Sequence, residues 1–346
     1  MCNIFDFGFN PDMNHDNKSG TPARVTSVHK GRFGIVSDYG EGFAQLKSKE
    51  YYYEDETFPT VGDFVLMDYV EDGDSRITAT LKRKTYFSRR DPDKGRGEQA
   101  VAANFDYIFI MQSLNKDFNP ERIERYLTVA RQSKAVPVIV LTKADLVGDY
   151  LPYILEVSRV AEDVETHIVS AQTGFGLEKL AKYMEKGNTL VFLGSSGVGK
   201  SSLVNALAGK EIMDTNGIRE DDSKGRHTTT HRELIRLESG VMIIDTPGMR
   251  ELGMWDVSEG LSESFADVEQ FSGKCKFRDC THENEPGCAV REAIRNGSLD
   301  PERFESYKKL KAEAKYSENE IDYRKQKQAW EKALRMGDKK RKKERF

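Results

Sequence analysis

The sequence predicts a multidomain α/β chain with a small all-β barrel first, an α/β sandwich in the centre, and a metal-stapled helical unit last. Three observations carry this. Short strand-like runs broken by Gly, Asp and Pro fill residues 23–88. Strand and helix patterns then alternate from Asp106 onward. Three of the four cysteines gather between Cys275 and Cys288.

The barrel is the first element in order. Arg24–Val28, Gly34–Ser37, Gly42–Leu46, Asp63–Val70 and Arg76–Leu81 are rich in Val, Ile, Phe and Tyr. Turns at Val61-Gly62-Asp63 and Glu71-Asp72-Gly73-Asp74 separate them. Five strands of this length suit an OB-like barrel, with an SH3-like barrel as the alternative. Ahead of it, Met1–Gly20 mixes Phe with Asn, Asp and Lys and lacks an apolar signal core, so residues 1–22 read as a flexible cytoplasmic leader. After it, the basic run Lys82–Arg96 is loop-like and belongs to a linker over residues 89–104.

In the sandwich, Asp106–Met111, Pro137–Leu141, Thr166–Ser170, Thr189–Leu193, Glu233–Leu237 and Val241–Ile244 read as strands. Glu121–Ser133, Leu177–Lys186 and Lys200–Leu207 read as helices. Such alternation means a mostly parallel sheet covered on both faces, with ligands at the carboxyl ends of its strands. Beyond Gly253 the sheet pattern stops. Ser258–Phe271, Gly287–Arg295 and Pro301–Met336 then read as helices around the cysteine cluster.

The whole chain of 346 residues carries a net charge of −4, which hides an asymmetry. Residues 301–346 hold 16 Lys/Arg against 9 Asp/Glu, leaving an acidic body and a basic tail at 337–346. That tail suits a polyanionic partner or a solvated end. No apolar run approaches the roughly 20 residues that a membrane span needs.

Each sandwich motif falls at a strand end. Gly194-Ser195-Ser196-Gly197-Val198-Gly199-Lys200-Ser201 is a GxxxxGKS phosphate loop between a strand and a helix. Its amides, through Ser202, would wrap phosphates; Lys200 would contact the β- and γ-phosphates and Ser201 would ligate Mg²⁺. Asp245-Thr246-Pro247-Gly248 ends the next-but-one strand, with Asp245 placed for Mg²⁺ and the Gly248 N–H for the γ-phosphate. Thr142-Lys143-Ala144-Asp145 ends an earlier strand. Asp145 can accept from both guanine N1–H and N2–H₂, whereas adenine would oppose it with a lone pair. Lys143 can lay its stem across the base, and Ser170-Ala171 opens a second base-contacting turn. Cys275-x4-Cys280-x-His282-x5-Cys288 supplies a closed Cys₃His shell for one structural Zn²⁺ per chain.

Together these motifs resemble the small-ribosomal-subunit-dependent GTPase family, RsgA, a circularly permuted branch of the translation-factor-like GTPases. The permuted order places base motifs first, then phosphate loop, switch I and switch II. Asp145, Ser170, Lys200, Thr228/Thr229 and Asp245 follow it here. The resemblance covers about Ala23 to Arg335. It implies an OB-fold barrel at 23–88, a circularly permuted P-loop GTPase at 105–257 and a zinc-bound helical domain at 258–336. It further implies a cytoplasmic monomer that binds GTP with Mg²⁺ and couples hydrolysis to late assembly of the small (30S) ribosomal subunit, touching its 16S rRNA. The alternative is an RNA-binding assembly scaffold regulated by guanine nucleotide.

Two departures matter. Thr142 stands where most GTPases have Asn, which leaves open how the loops are braced. Met249 stands where many keep a water-orienting Gln, and a thioether cannot orient water. His227 is therefore the candidate to position the attacking water, with Thr228 or Thr229 completing the Mg²⁺ shell. Of the remaining features, His167 reads as a packed histidine. Tyr51-Tyr52-Tyr53 suits either base stacking or strand packing. Lys308–Lys332 reads as a solvated helix face.

Overall fold

The computed structural model describes residues 2–14, 18–29, 31–47, 57–90, 98–213, 232–245 and 257–316. They divide between two compact units, Met1–Ser88 with Ala100–Leu252, and Arg89–Gln99 with Gly253–Phe346.

The first unit opens with the barrel: β1 (Thr21–His29), β2 (Arg32–Ser37), β3 (Gly40–Leu46), β4 (Phe64–Asp68) and β5 (Ser75–Thr80). Their order is β1-β2-β3-β5-β4, and β4 returns to β1, which closes the ring as an OB-like barrel does. Alternation decides which side chains go in. Along β5, Ser75, Ile77 and Ala79 are buried while Arg76 is exposed. Ala23, Val25, Phe33, Ile35, Val65 and Met67 fill the interior with Ile77.

A two-stranded sheet follows, β6 (Tyr86–Arg90) with β7 (Glu98–Ala103). The linker expected over 89–104 is corrected here, because Val101, Ala102 and Ala103 are buried strand residues. The run is too short and too rich in Ala to stand out as a strand from pattern alone.

The sandwich strands are β8 (Tyr107–Ser113), β9 (Val136–Thr142), β10 (Thr166–Ile168), β11 (Thr189–Leu193), β12 (Glu233–Arg236) and β13 (Met242–Asp245). Their order is β10-β9-β8-β11-β13-β12, parallel except for β12. Strands such as β9 (VPVIVLT) and β11 (TLVFL) are nearly all apolar, as burial on both faces requires. Helices Pro120–Gln132, Leu151–Ala161 and Lys200–Ala208 accompany them. The helix expected over Leu177–Lys186 is a 3₁₀ segment, Leu177–Tyr183. The helix Leu151–Ala161 was not expected; Leu151, Ile154 and Leu155 on it are exposed.

The barrel strands and the sandwich strands also meet edge to edge. β1 pairs with β12 at Ser27 and Glu233, so that both belong to one 11-stranded sheet. Arg24 completes the seam. Its guanidinium is buried and donates to the carbonyls of Phe7 (2.6 Å), Asn104 (2.7 Å) and Gly62 (3.3 Å). Burial pushes its pKa down to about 10, so it is still charged at neutral pH. Gly62 has φ +89, and a Cβ there would lie 2.1 Å from the Ala103 carbonyl oxygen, so the seam needs glycine. Among the described residues of the expected leader, Ile4–Phe7 and Pro11–Met13 form 3₁₀ turns, with Ile4 and Phe7 buried.

The second unit is helical: Ser258–Ser264, Ala266–Ser272, Ala289–Arg295 and a helix over residues 301–316. The single helix expected over Ser258–Phe271 breaks at Phe265, whose φ of −120° leaves helical space. That ring is fully buried, 5.5 Å from Tyr307 and under the Arg303 guanidinium at 4.1 Å. Tertiary packing thus overrides the local helical pattern. His167 is packed against Tyr183, with Nε2 2.8 Å from its hydroxyl, and burial lowers its pKa.

The basic tail at 337–346 and Tyr51–Tyr53 lie outside the described residues.

Candidate functional site

β8, β9, β11 and β13 run parallel, so the segments leaving their carboxyl ends meet at one edge of the sheet. From β11 the chain passes through Gly194–Gly199 into the helix Lys200–Ala208. Gly199 sits at φ +101, a conformation that L side chains rarely adopt, and from there the helix N-terminus turns its free amides toward the loop. Lys200 and Ser201 occupy the first turn, with Ser202 next to them and exposed. Lys200 Nζ lies 2.5 Å from Asp245 Oδ1, at the end of β13. A hydroxyl and a carboxylate beside one lysine make a donor set that suits a hard cation and its phosphates.

The TKAD strand end adjoins this loop. Thr142 ends β9 and is buried; its hydroxyl lies 2.6 Å from the Val198 carbonyl of the phosphate loop and donates to it. That bond answers the question left by the missing Asn: here a threonine braces the two loops. Lys143 takes a left-handed turn (φ 59) and the Ala144 amide donates to the Val169 carbonyl. These steps bring Asp145 to the turn that begins at Ser170 and Ala171. Ser170 is buried, and its hydroxyl donates to Asp145 Oδ1 at 2.5 Å.

One contact was missed by sequence reasoning. Asp117, in the loop after β8, accepts from Ser195 Oγ at 2.5 Å and from Arg122 Nη1 at 3.2 Å. The Ser195 hydrogen bond, then Arg122 and Lys143, hold its carboxyl below the usual range. Its only local signal was the turn-rich string Asn115–Asn119 ahead of Pro120.

His227, Thr228, Thr229 and Gly248 lie outside the described residues.

In the helical unit, the ligand atoms of Cys275, Cys280, His282 and Cys288 all lie within 4.8 Å of one another, and the group could hold a metal ion. A tetrahedral shell with metal–sulfur bonds of about 2.3 Å and metal–nitrogen bonds of about 2.0 Å has edges of about 3.8 and 3.5 Å. Cys275 and Cys288 sulfurs are 3.9 Å apart, and each lies 3.4–3.5 Å from His282 Nδ1. These three distances match those edges closely. Cys288 also caps the helix Ala289–Arg295, accepting from the Arg291 amide at 3.5 Å. Between the ligands, Glu285 accepts from the Thr281 hydroxyl and from the amides of Thr281, Glu283 and Asn284. Those bonds, the Thr281 hydroxyl foremost, depress its pKa to about 2 and shape the loop.

Comparison with known proteins agrees with this geometry. A family model described as RsgA GTPase matches residues 80–255. An ABC transporter model also matches residues 177–344, a stretch that contains the phosphate loop common to many nucleotide hydrolases. Small ribosomal subunit biogenesis GTPase RsgA 1 of Listeria innocua is 48% identical over 85% of this chain and 83% of its own length. Small ribosomal subunit biogenesis GTPase RsgA of Syntrophotalea carbinolica is 41% identical over 90% of this chain and 89% of its own. Among solved structures, YjeQ from Thermotoga maritima superposes with a TM-score of 0.62 at 27% identity, covering 85% of this chain and 98% of that one. YloQ, a circularly permuted GTPase, gives 0.60 at 25% identity, covering 87% and 97%. With base motifs ahead of the phosphate loop on one parallel sheet, a barrel before them and a Cys₃His cluster after them, the chain belongs to the RsgA GTPase family.

Proposed function

We propose that this GTPase is a switch on the small ribosomal subunit, spending GTP during the subunit's late maturation. One observation supports the reading: Thr142, which opens the TKAD string, donates to the Val198 carbonyl of the phosphate loop, so the two motifs are braced at one sheet edge. The names of the relatives, small ribosomal subunit biogenesis GTPases, supply the partner.

In this reading Asp145 takes the guanine N1–H and N2–H₂, while Lys143, Ala144, Ser170 and Ala171 frame the base. The amides of Gly194–Ser202 and the Lys200 ammonium hold the phosphates. Ser201, Asp245 and Thr228 or Thr229 would hold Mg²⁺, which would supply positive charge beside the phosphates. Gly248 senses the γ-phosphate through its amide, and His227 positions the attacking water. Phosphoryl transfer needs positioning and charge more than covalent chemistry, which suits this set. Zn²⁺ is the metal we assign to Cys275, Cys280, His282 and Cys288; three thiolates and an imidazole favour it, and with no open position its role is structural. The chain acts as a cytoplasmic monomer, and its contacts to 16S rRNA are largely phosphate-driven and salt-sensitive.

The test is GTP turnover titrated with purified small subunits. Strong stimulation is expected, because no glutamine follows the switch II Gly248 and intrinsic turnover should be slow. Turnover that is indifferent to subunits would replace the switch with a nucleotide-regulated scaffold.

A further inference from the structure

We infer that Asp117 is a positioning residue for nucleotide binding, acting through Ser195 on the outer edge of the phosphate loop. This rests on the assignment of Gly194–Ser202 to the phosphates.

A carboxylate beside a polyanion site is unexpected, since its charge repels the ligand. It is tolerable only where that charge is engaged. Asp117 Oδ2 is engaged twice, by Ser195 Oγ at 2.5 Å and Arg122 Nη1 at 3.2 Å. Its backbone is fixed as well. The Asp117 amide donates to Asn115 Oδ1 at 2.9 Å, and the Ser113 hydroxyl donates to the same oxygen at 2.9 Å. The Leu114 amide donates to the Thr142 carbonyl at 2.9 Å, and Asn119 caps the helix Pro120–Gln132 through the Arg122 amide at 3.1 Å. The loop is thus anchored to β9 on one side and to a helix on the other, and Asp117 projects from it onto Ser195.

The phosphate loop is therefore held at two points. Thr142 grips the Val198 carbonyl from beneath, in a buried bond. Asp117 grips the Ser195 side chain near the loop's start, at the surface. Gly197 and Gly199 lie between and after these points, and both have positive φ. A loop with such freedom loses conformational entropy when it closes around phosphates. Tethers at both ends reduce that loss before the nucleotide arrives, which favours binding rather than the chemical step.

A double-mutant cycle tests the proposal: Asp117→Ala, Ser195→Ala and both together, with GDP affinity and GTP kinetics measured for each. Either single change is expected to weaken GDP binding and raise KM for GTP about tenfold, with the loss falling on KM more than on kcat. The double variant should be no worse than either single one, as expected for two ends of one bond. Asp117→Asn keeps an acceptor for Ser195 and should recover part of the affinity, which a merely structural defect would not show. Additive losses, or a loss confined to kcat, would overturn the inference. Failure of the wild-type chain to bind guanine nucleotide at all would instead remove the reading on which it rests.

Discussion

Asp145 has two carboxylate oxygens, and Ser170 holds one of them, Oδ1, at 2.5 Å. The carboxylate is thereby oriented before any base arrives, which is what discrimination by hydrogen-bond matching requires. Asp145→Asn replaces an acceptor by a donor. Two hydrogen bonds to a charged group are worth about 1.5 kcal/mol or more each, and about 1.4 kcal/mol is a factor of ten. KM for GTP should therefore rise about 100-fold, while XTP, with a carbonyl in place of the 2-amino group, becomes a substrate. Steady-state kinetics with both nucleotides checks this, and an unchanged preference for GTP would remove Asp145 from the base site. The same scale shows what motif reading achieves: TKAD and GxxxxGKS were legible because their chemistry needs those residue types at fixed spacing. Asp117 was not, because one carboxylate in a turn has no pattern until folding brings Ser195 to it.

At the scale of elements, the seam between barrel and sandwich rests on few contacts of high consequence. Arg24 spans it, joining β1 to the leader turn through Phe7 and to Asn104 at the entry to β8. Arg24→Met would fill much of the same volume but leave the buried carbonyls of Phe7 and Asn104 without donors. At about 1–3 kcal/mol per unsatisfied buried group, the first unit should lose about 3 kcal/mol. A urea-unfolding midpoint followed by tryptophan-independent far-UV signal reads it, and an unchanged midpoint would show that the seam tolerates the loss. The strands of barrel and sandwich were readable from alternation or from apolar runs, while β6 and β7 were not. The joining of β1 to β12 was not, since the two are separated by some two hundred residues and their pairing leaves no periodic trace.

At the scale of the molecule, the helical unit has its own core of Phe265, Val268, Val290, Phe304, Tyr307 and Leu310. Small units of this kind usually need a staple in addition to their core. Structural zinc in small domains contributes about 10 kcal/mol or more of apparent binding free energy, so its removal should unfold the unit. Elemental analysis should find one zinc per chain. Chelation, or Cys280→Ser, should lower the helical circular dichroism, while guanine nucleotide affinity, which belongs to the other unit, changes less than twofold. A metal-free chain with full helicity would refute the structural role.

The motifs were legible in the sequence alone: GxxxxGKS, TKAD and the Cys₃His set are local strings, and the chemistry each would perform imposes its spacing. The barrel's five strands and the parallel sheet were also legible, because burial on one face or two writes a period into the chain. Tertiary structure decided the rest. It merged barrel and sandwich into one sheet, buried Ile4 and Phe7, broke a helix at Phe265, set Thr142 to brace the phosphate loop and brought Asp117 to Ser195. Each of these depends on contacts between residues far apart in the chain, and such contacts are settled by packing and hydrogen-bond satisfaction rather than by any local preference.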